Sequence, residues 1–152
     1  MPERATTARE RRLVVERAAG RCEYCLSPVA YSPDPFAVEH IVPRSRGGSH
    51  RPANLAYSCQ GCNSYKYTST EAFDVVSGER VPLYHPRQHA WRDHFAWNDD
   101  FSQMVGLTAT GRATIARLDL NRANVVNLRR LLVAVNQHPP KEPLPEYRGT
   151  TR

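Results

Sequence analysis

The sequence predicts an α+β fold, and three observations carry that reading. Apolar periodicity and capping residues mark helices at 4–19, 109–118 and 121–136. Short β-rich runs lie between them, the clearest at 36–42 and 95–107. Two Cys-x-x-Cys knuckles, Cys22 with Cys25 and Cys59 with Cys62, enclose the first of those runs. At 152 residues and 40% hydrophobic content, the chain is long enough to bury a core of its own.

In chain order, Thr7 offers an N-cap inside the first helix, Leu13, Val14 and Ala18 give it a partial apolar face, and Gly20 is placed to end it. Ser32-Pro33-Asp34-Pro35 punctuates a loop, and Pro43 halts the strand at 36–42. Ser45-Arg46-Gly47-Gly48-Ser49 reads as a flexible basic loop, in which His50 is expected to be exposed. A helix is expected from Asn63 to about Ala72, starting directly after the second knuckle. Strand candidates follow at 73–76, 81–84, 95–97 and 104–107, the last two forming a hairpin around Asn98-Asp99-Asp100. Asn121 is placed to cap the last helix, whose Val125, Leu128, Leu132 and Val135 fall on one face. This divides the chain into a core at 1–72, an extension at 73–137 packed on it, and a Pro-rich tail at 138–152, expected to be extended or disordered.

Composition narrows the class of partner. A formal charge of +6 and a pI near 9.5 favour an anion, of which nucleic acid is the commonest. No apolar stretch approaches the roughly 20 residues that span a bilayer, and the charged N-terminus has no signal-peptide run. A soluble cytoplasmic protein without membrane contact is therefore expected, and the sequence sets no oligomeric state.

In that setting four cysteines read as one metal site rather than as disulfides. Two knuckles close a tetrahedral set of thiolates, which suits a structural Zn²⁺ with no open position. The 33 residues between Cys25 and Cys59 exceed the needs of a compact zinc ribbon and suggest a functional insertion.

Within that insertion lie Glu39 and His40, then Asn54, with Asn63 directly after Cys62. Phosphodiester hydrolysis needs a base for water, a divalent ion at the phosphate, and scaffolding for both. A neutral imidazole at His40 suits the base. The Glu39 carboxylate and the Asn63 amide oxygen suit a hard ion. Asn54 can fix the loop or orient the imidazole. Adjacent strand residues point to opposite faces, so Glu39 and His40 serve one site only if the chain bends there.

Cys22-Glu23-Tyr24-Cys25, Glu39-His40-Ile41-Val42-Pro43, Gly47-Gly48, Asn54-Leu55 and Cys59-Gln60-Gly61-Cys62-Asn63-Ser64-Tyr65-Lys66 together resemble the HNH endonuclease family. The resemblance covers roughly residues 15–70. It implies a zinc-stabilised ββα-metal core, here followed by a C-terminal β-hairpin and helical extension. It implies His40 as general base, Glu39 and Asn63 as ligands of a catalytic Mg²⁺ or Mn²⁺, Asn54 as support of the loop, and Cys22, Cys25, Cys59 and Cys62 as zinc ligands. Residues 80–135 resemble an extension found on some bacterial members.

Arg44, Arg46, Arg51 and Lys66 flank the candidate site and are expected to grip phosphates, with DNA as the expected nucleic acid. His85, His89 and His94 form an incomplete ligand pattern, so packing or a phosphate contact through Arg87 is the expectation there. Arg122, Arg129 and Arg130 could also lie on a phosphate backbone. Two other readings stay open: a zinc-stabilised nucleic-acid-binding module without catalysis, and a structural zinc protein that binds another protein.

Overall fold

A computed structural model describes residues 6–141. Helices alternate with three separate two-stranded antiparallel sheets, a mixed α and β architecture. The first helix, α1, spans Ala8–Arg17. Thr7 and Glu10 form a reciprocal capping box that satisfies two orphan amides at its start. It ends where Ala19 and Gly20 take positive φ. Of its four arginines, Arg17 turns inward and donates to the carbonyls of Pro52 and Leu55 at 2.6 and 2.5 Å.

Strand β1, Ala37–His40, pairs with β2, Leu55–Ser58, in a register that sets Glu39 opposite Ala56 and His40 opposite Leu55. β2 was not expected from the sequence. All four of its residues are buried, so it lacks the polar–apolar alternation that betrays a half-exposed strand. Helix α2 spans Gln60–Lys66, six residues shorter at its C-terminal end than expected and starting three residues earlier. Cys59 caps it, its Sγ accepting the Cys62 amide at 3.4 Å, and Tyr67 at φ 50° stops it. The second knuckle is thus the first turn of the helix.

In the second half, β3, Glu71–Asp74, pairs with β4, Glu79–Pro82, around a turn that contains Gly78 at φ +75°. A four-residue helix, α3, Trp91–His94, leads into β5, Phe95–Trp97, which pairs with β6, Met104–Gly106. Helices α4, Ala109–Leu118, and α5, Ala123–Ala134, follow. Asn121 does not cap α5. Its side chain instead accepts from Met104 N at 2.8 Å and donates to Met104 O at 2.9 Å, lying against β6. On α5, Val125 and Leu132 are buried, whereas Val135 is 57% exposed because the helix has ended by then. Arg129 is fully buried and Arg122 faces the cysteines, so of the three arginines that could lie on a phosphate backbone only Arg130 is exposed.

One apolar cluster runs from Val14 of α1 through Leu55 and Ala56 of β2 to Leu118 and Val125 of the C-terminal helices. Each fully buried Leu or Val contributes about 1.5–3 kcal/mol relative to exposure. Arg87, half-buried on the second half, pairs with Glu23 of the first knuckle, and Glu23 also accepts the Tyr57 amide. Of the expected tail, His138 is buried and its ring lies 4.5 Å from Trp97, so the chain is packed at least to that point. The rest of the tail, 142–152, lies outside the described residues.

Candidate active site and metal centre

The four cysteine sulfurs lie within 4.8 Å of one another. A tetrahedral ion with bonds of about 2.3 Å holds thiolates about 3.8 Å apart, and Cys25 Sγ to Cys59 Sγ is 3.8 Å. The amides of Tyr24 and Cys25 point at Cys22 Sγ at 3.4 and 3.5 Å, while Ser27 Oγ lies 3.2 Å from Cys25 Sγ. Soft donors, closure on all sides and burial of three of the four residues fit a structural metal such as zinc. The centre ties α2 and the end of β2 to the turn after α1.

β1 ends at His40, and the chain turns there into a loop held by Asn54. That side chain is buried. Its Oδ1 accepts from Val42 N at 2.8 Å, and its Nδ2 donates to Val42 O at 2.9 Å and Ser49 O at 2.8 Å. All three bonds go to main chain and none to an imidazole, so Asn54 positions the loop rather than the ring. Gly48 completes the clasp, because a Cβ there would lie 1.7 Å from Val42 O. The loop delivers His50, whose Nδ1 lies 2.8 Å from His40 Nε2. His50 is therefore a half-buried partner of the candidate base and not an exposed loop residue. Its place beside a turn gave no periodic signal, and only the fold of the loop brings it back.

Glu39, one residue earlier, points the other way, as strand alternation demands. Its Oε2 accepts from Tyr24 OH at 2.5 Å and its Oε1 pairs with Lys66 Nζ at 3.3 Å. Lys66 also donates to Ile41 O at 2.8 Å. Burial pushes the Glu39 carboxyl up, opposed by the Lys66 charge and the Tyr24 hydrogen bond. Burial, followed by the neighbouring carboxylate, pushes the Tyr24 phenol well up. Lys66 is 1% exposed, so its expected role as a phosphate grip is corrected: an ammonium enclosed between a carboxylate and a carbonyl cannot meet a phosphate.

Asn63 stands one turn before Lys66 on α2, half-buried, and among the described residues its side-chain amide has no hydrogen-bond partner. A carboxylate oxygen with one bond keeps a second lone pair. By donor chemistry Glu39 and Asn63 therefore fit a hard divalent ion, which would share Glu39 with Lys66. The remaining cations differ in freedom. Arg44 is exposed and donates to Gly48 O at 2.7 Å, and Arg46 is exposed with Nε on Thr68 O at 3.0 Å. The Arg51 side chain is exposed with no partner among the described residues.

The second half carries His85, His89 and His94 around Tyr84, with His89 and His94 ring centroids 4.8 Å apart. Their nitrogens do not form a three-ligand group, and backbone amides already occupy Nδ1 of His85 and His89. Packing is what this cluster does. Arg87 is held inward by Glu23, so its expected phosphate contact is replaced by an ion pair that ties the two halves of the chain.

No curated protein and no solved structure matches the chain. A family model described as HNH endonuclease matches residues 22–69, which hold both knuckles, the β1–β2 pair, the Asn54 loop and α2. The segment from Cys22 to Ser69 is therefore similar to an HNH endonuclease domain and carries its four-cysteine metal cluster.

Proposed function

We propose that the protein is a metal-dependent endonuclease that hydrolyses phosphodiester bonds in DNA, with His40 as the base. The observation that carries this reading is an imidazole at the end of β1, set over a loop that Asn54 and Gly48 clasp and that three exposed arginines border. In the tautomer in which His50 Nδ1 accepts, His40 carries its proton on Nε2, and its basic lone pair lies on Nδ1. A proton taken from water at Nδ1 is then shared along the imidazole pair. Arg44, Arg46 and Arg51 hold the substrate backbone against the loop and fix the phosphate in line with that water. Glu39 and Asn63 would hold Mg²⁺ or Mn²⁺, and the chemistry such an ion would supply is charge neutralisation at the phosphate and the leaving oxygen. The four cysteines hold Zn²⁺ and take no part in the reaction.

Plasmid nicking with Mg²⁺, with and without EDTA, tests the activity, and His40→Ala tests the base. The variant should lose at least about a hundredfold in rate, the lower end of what a general base contributes, while keeping its fold and its salt-dependent DNA binding. Full activity in His40→Ala would sink the mechanism. A second reading, a nucleic-acid-binding module without catalysis, is favoured by one observation: Lys66 and Tyr24 already occupy the Glu39 carboxylate. It is the reading to adopt if the wild type binds DNA with a steep salt dependence but nicks it with no divalent ion.

A further inference from the structure

Two arginines of the C-terminal half converge on the cysteine cluster, and among the described residues neither has a carboxylate partner. Arg122, at the start of α5, aims its guanidinium at the second knuckle. Its Nη2 lies 3.6 Å from Cys59 Sγ and 3.7 Å from Cys62 Sγ, and its Nη1 lies 3.7 Å from Cys62 Sγ. Nη1 also donates to the carbonyls of Leu118 and Asp119 at 3.3 and 3.1 Å, and the guanidinium carbon lies 5.4 Å from the Tyr65 ring centroid. The approach depends on Gly61, where a Cβ would lie 2.5 Å from Nη2. Arg129, two turns further along α5, is 1% exposed. Its donors reach the carbonyls of Ser102, Leu120 and Cys25 and the Asn121 Oδ1, at 2.9–3.4 Å.

Carbonyls solvate a guanidinium but do not cancel its charge, and an unpaired buried charge is costly. Arg129 touches the main chain of one zinc knuckle and Arg122 touches the sulfurs of the other. A divalent ion with four thiolates carries a net charge of −2, and two guanidinium groups carry +2. We propose that Arg122 and Arg129 are the counter-ions of a doubly negative metal–tetrathiolate centre. The charge of the loaded centre then holds α5 to the HNH segment, and apolar packing alone does not. The N–H···S bonds from Arg122 also engage sulfur lone pairs that would otherwise take up a proton or another electrophile, the event that frees a thiolate from the metal and opens the ion to a chelator.

The proposal rests on the metal site and is independent of whether the protein cleaves anything. The test uses the full chain as purified. Its zinc content is measured, and then the rate of zinc transfer to a chromogenic chelator is compared among wild type, Arg122→Met and Arg122→Lys. Zinc should leave Arg122→Met about tenfold faster, the scale of lost support around a metal ligand, and Arg122→Lys should recover much of the difference by keeping the charge. Hydrogen exchange on the wild type, loaded and stripped, needs no variant: removing zinc should expose the α5 amides together with those of α2. Equal transfer rates in wild type and Arg122→Met would overturn the proposal. So would an α5 that stays protected after zinc is removed, or a purified chain that holds no divalent metal.

Discussion

Asn54 and Gly48 shape the loop that carries the His40–His50 pair, and they do so through main chain alone. Three hydrogen bonds from one buried amide close the turn between Val42 and Ser49, and the missing side chain at 48 lets the strands of that turn meet. Asn54→Ala would leave a main-chain N–H and two carbonyls unsatisfied, at about 1–3 kcal/mol for a buried group. The expected outcome is a lower urea midpoint with zinc retained. Any nuclease activity should fall mainly in kcat, because loosening the loop misplaces the His40–His50 pair more than it weakens the arginine contacts. Unchanged stability would show that the turn holds without its clasp.

The contact between β1 and α2 centres on a buried ion pair. Lys66→Met leaves the Glu39 carboxylate in an apolar setting with only Tyr24 to serve it, and breaking a buried pair costs about 3–5 kcal/mol. The double variant with Glu39→Gln removes the stranded charge and should recover most of that loss in a denaturant titration. If the double variant is no better than the single one, the charge is not what the pair contributes. This pair also shows where sequence reading stopped. The knuckles, the His40 motif, α4 and the β5–β6 turn were legible, since each depends on local spacing or turn chemistry. The fate of Lys66 was not, because a lysine on a short helix beside a basic loop reads as a solvent-facing grip. Only the crossing of α2 over β1 encloses it. β2 was missed for the complementary reason, that a strand buried on both faces has no period to read. Asn121 was misread as a cap because a local use for an asparagine competes with a distant one, here the main chain of Met104.

At the scale of the whole molecule, buried His138 and half-buried His85 give the expected pH response. Burial, followed by the neighbouring His89, lowers His85 to about 4, and burial lowers His138 to about 4. The unfolded chain protonates both near their ordinary value of about 6.5. Between that pH and about 4 it binds more protons than the folded chain does, so stability falls as pH falls through this window. Thermal melting in excess zinc should show this decline, and His138→Gln should flatten it in part; a variant with the wild-type slope would remove His138 from the account. The Asn121 amide has a consequence at the same scale. A two-stranded ribbon leaves an open row of donors and acceptors on which a second molecule can build another strand. By meeting both main-chain groups of Met104, Asn121 acts as a one-residue counterfeit of that missing strand and denies a neighbour that position of the edge. Asn121→Ala should therefore reveal itself in concentration-dependent light scattering, as self-association of chains whose zinc content is intact.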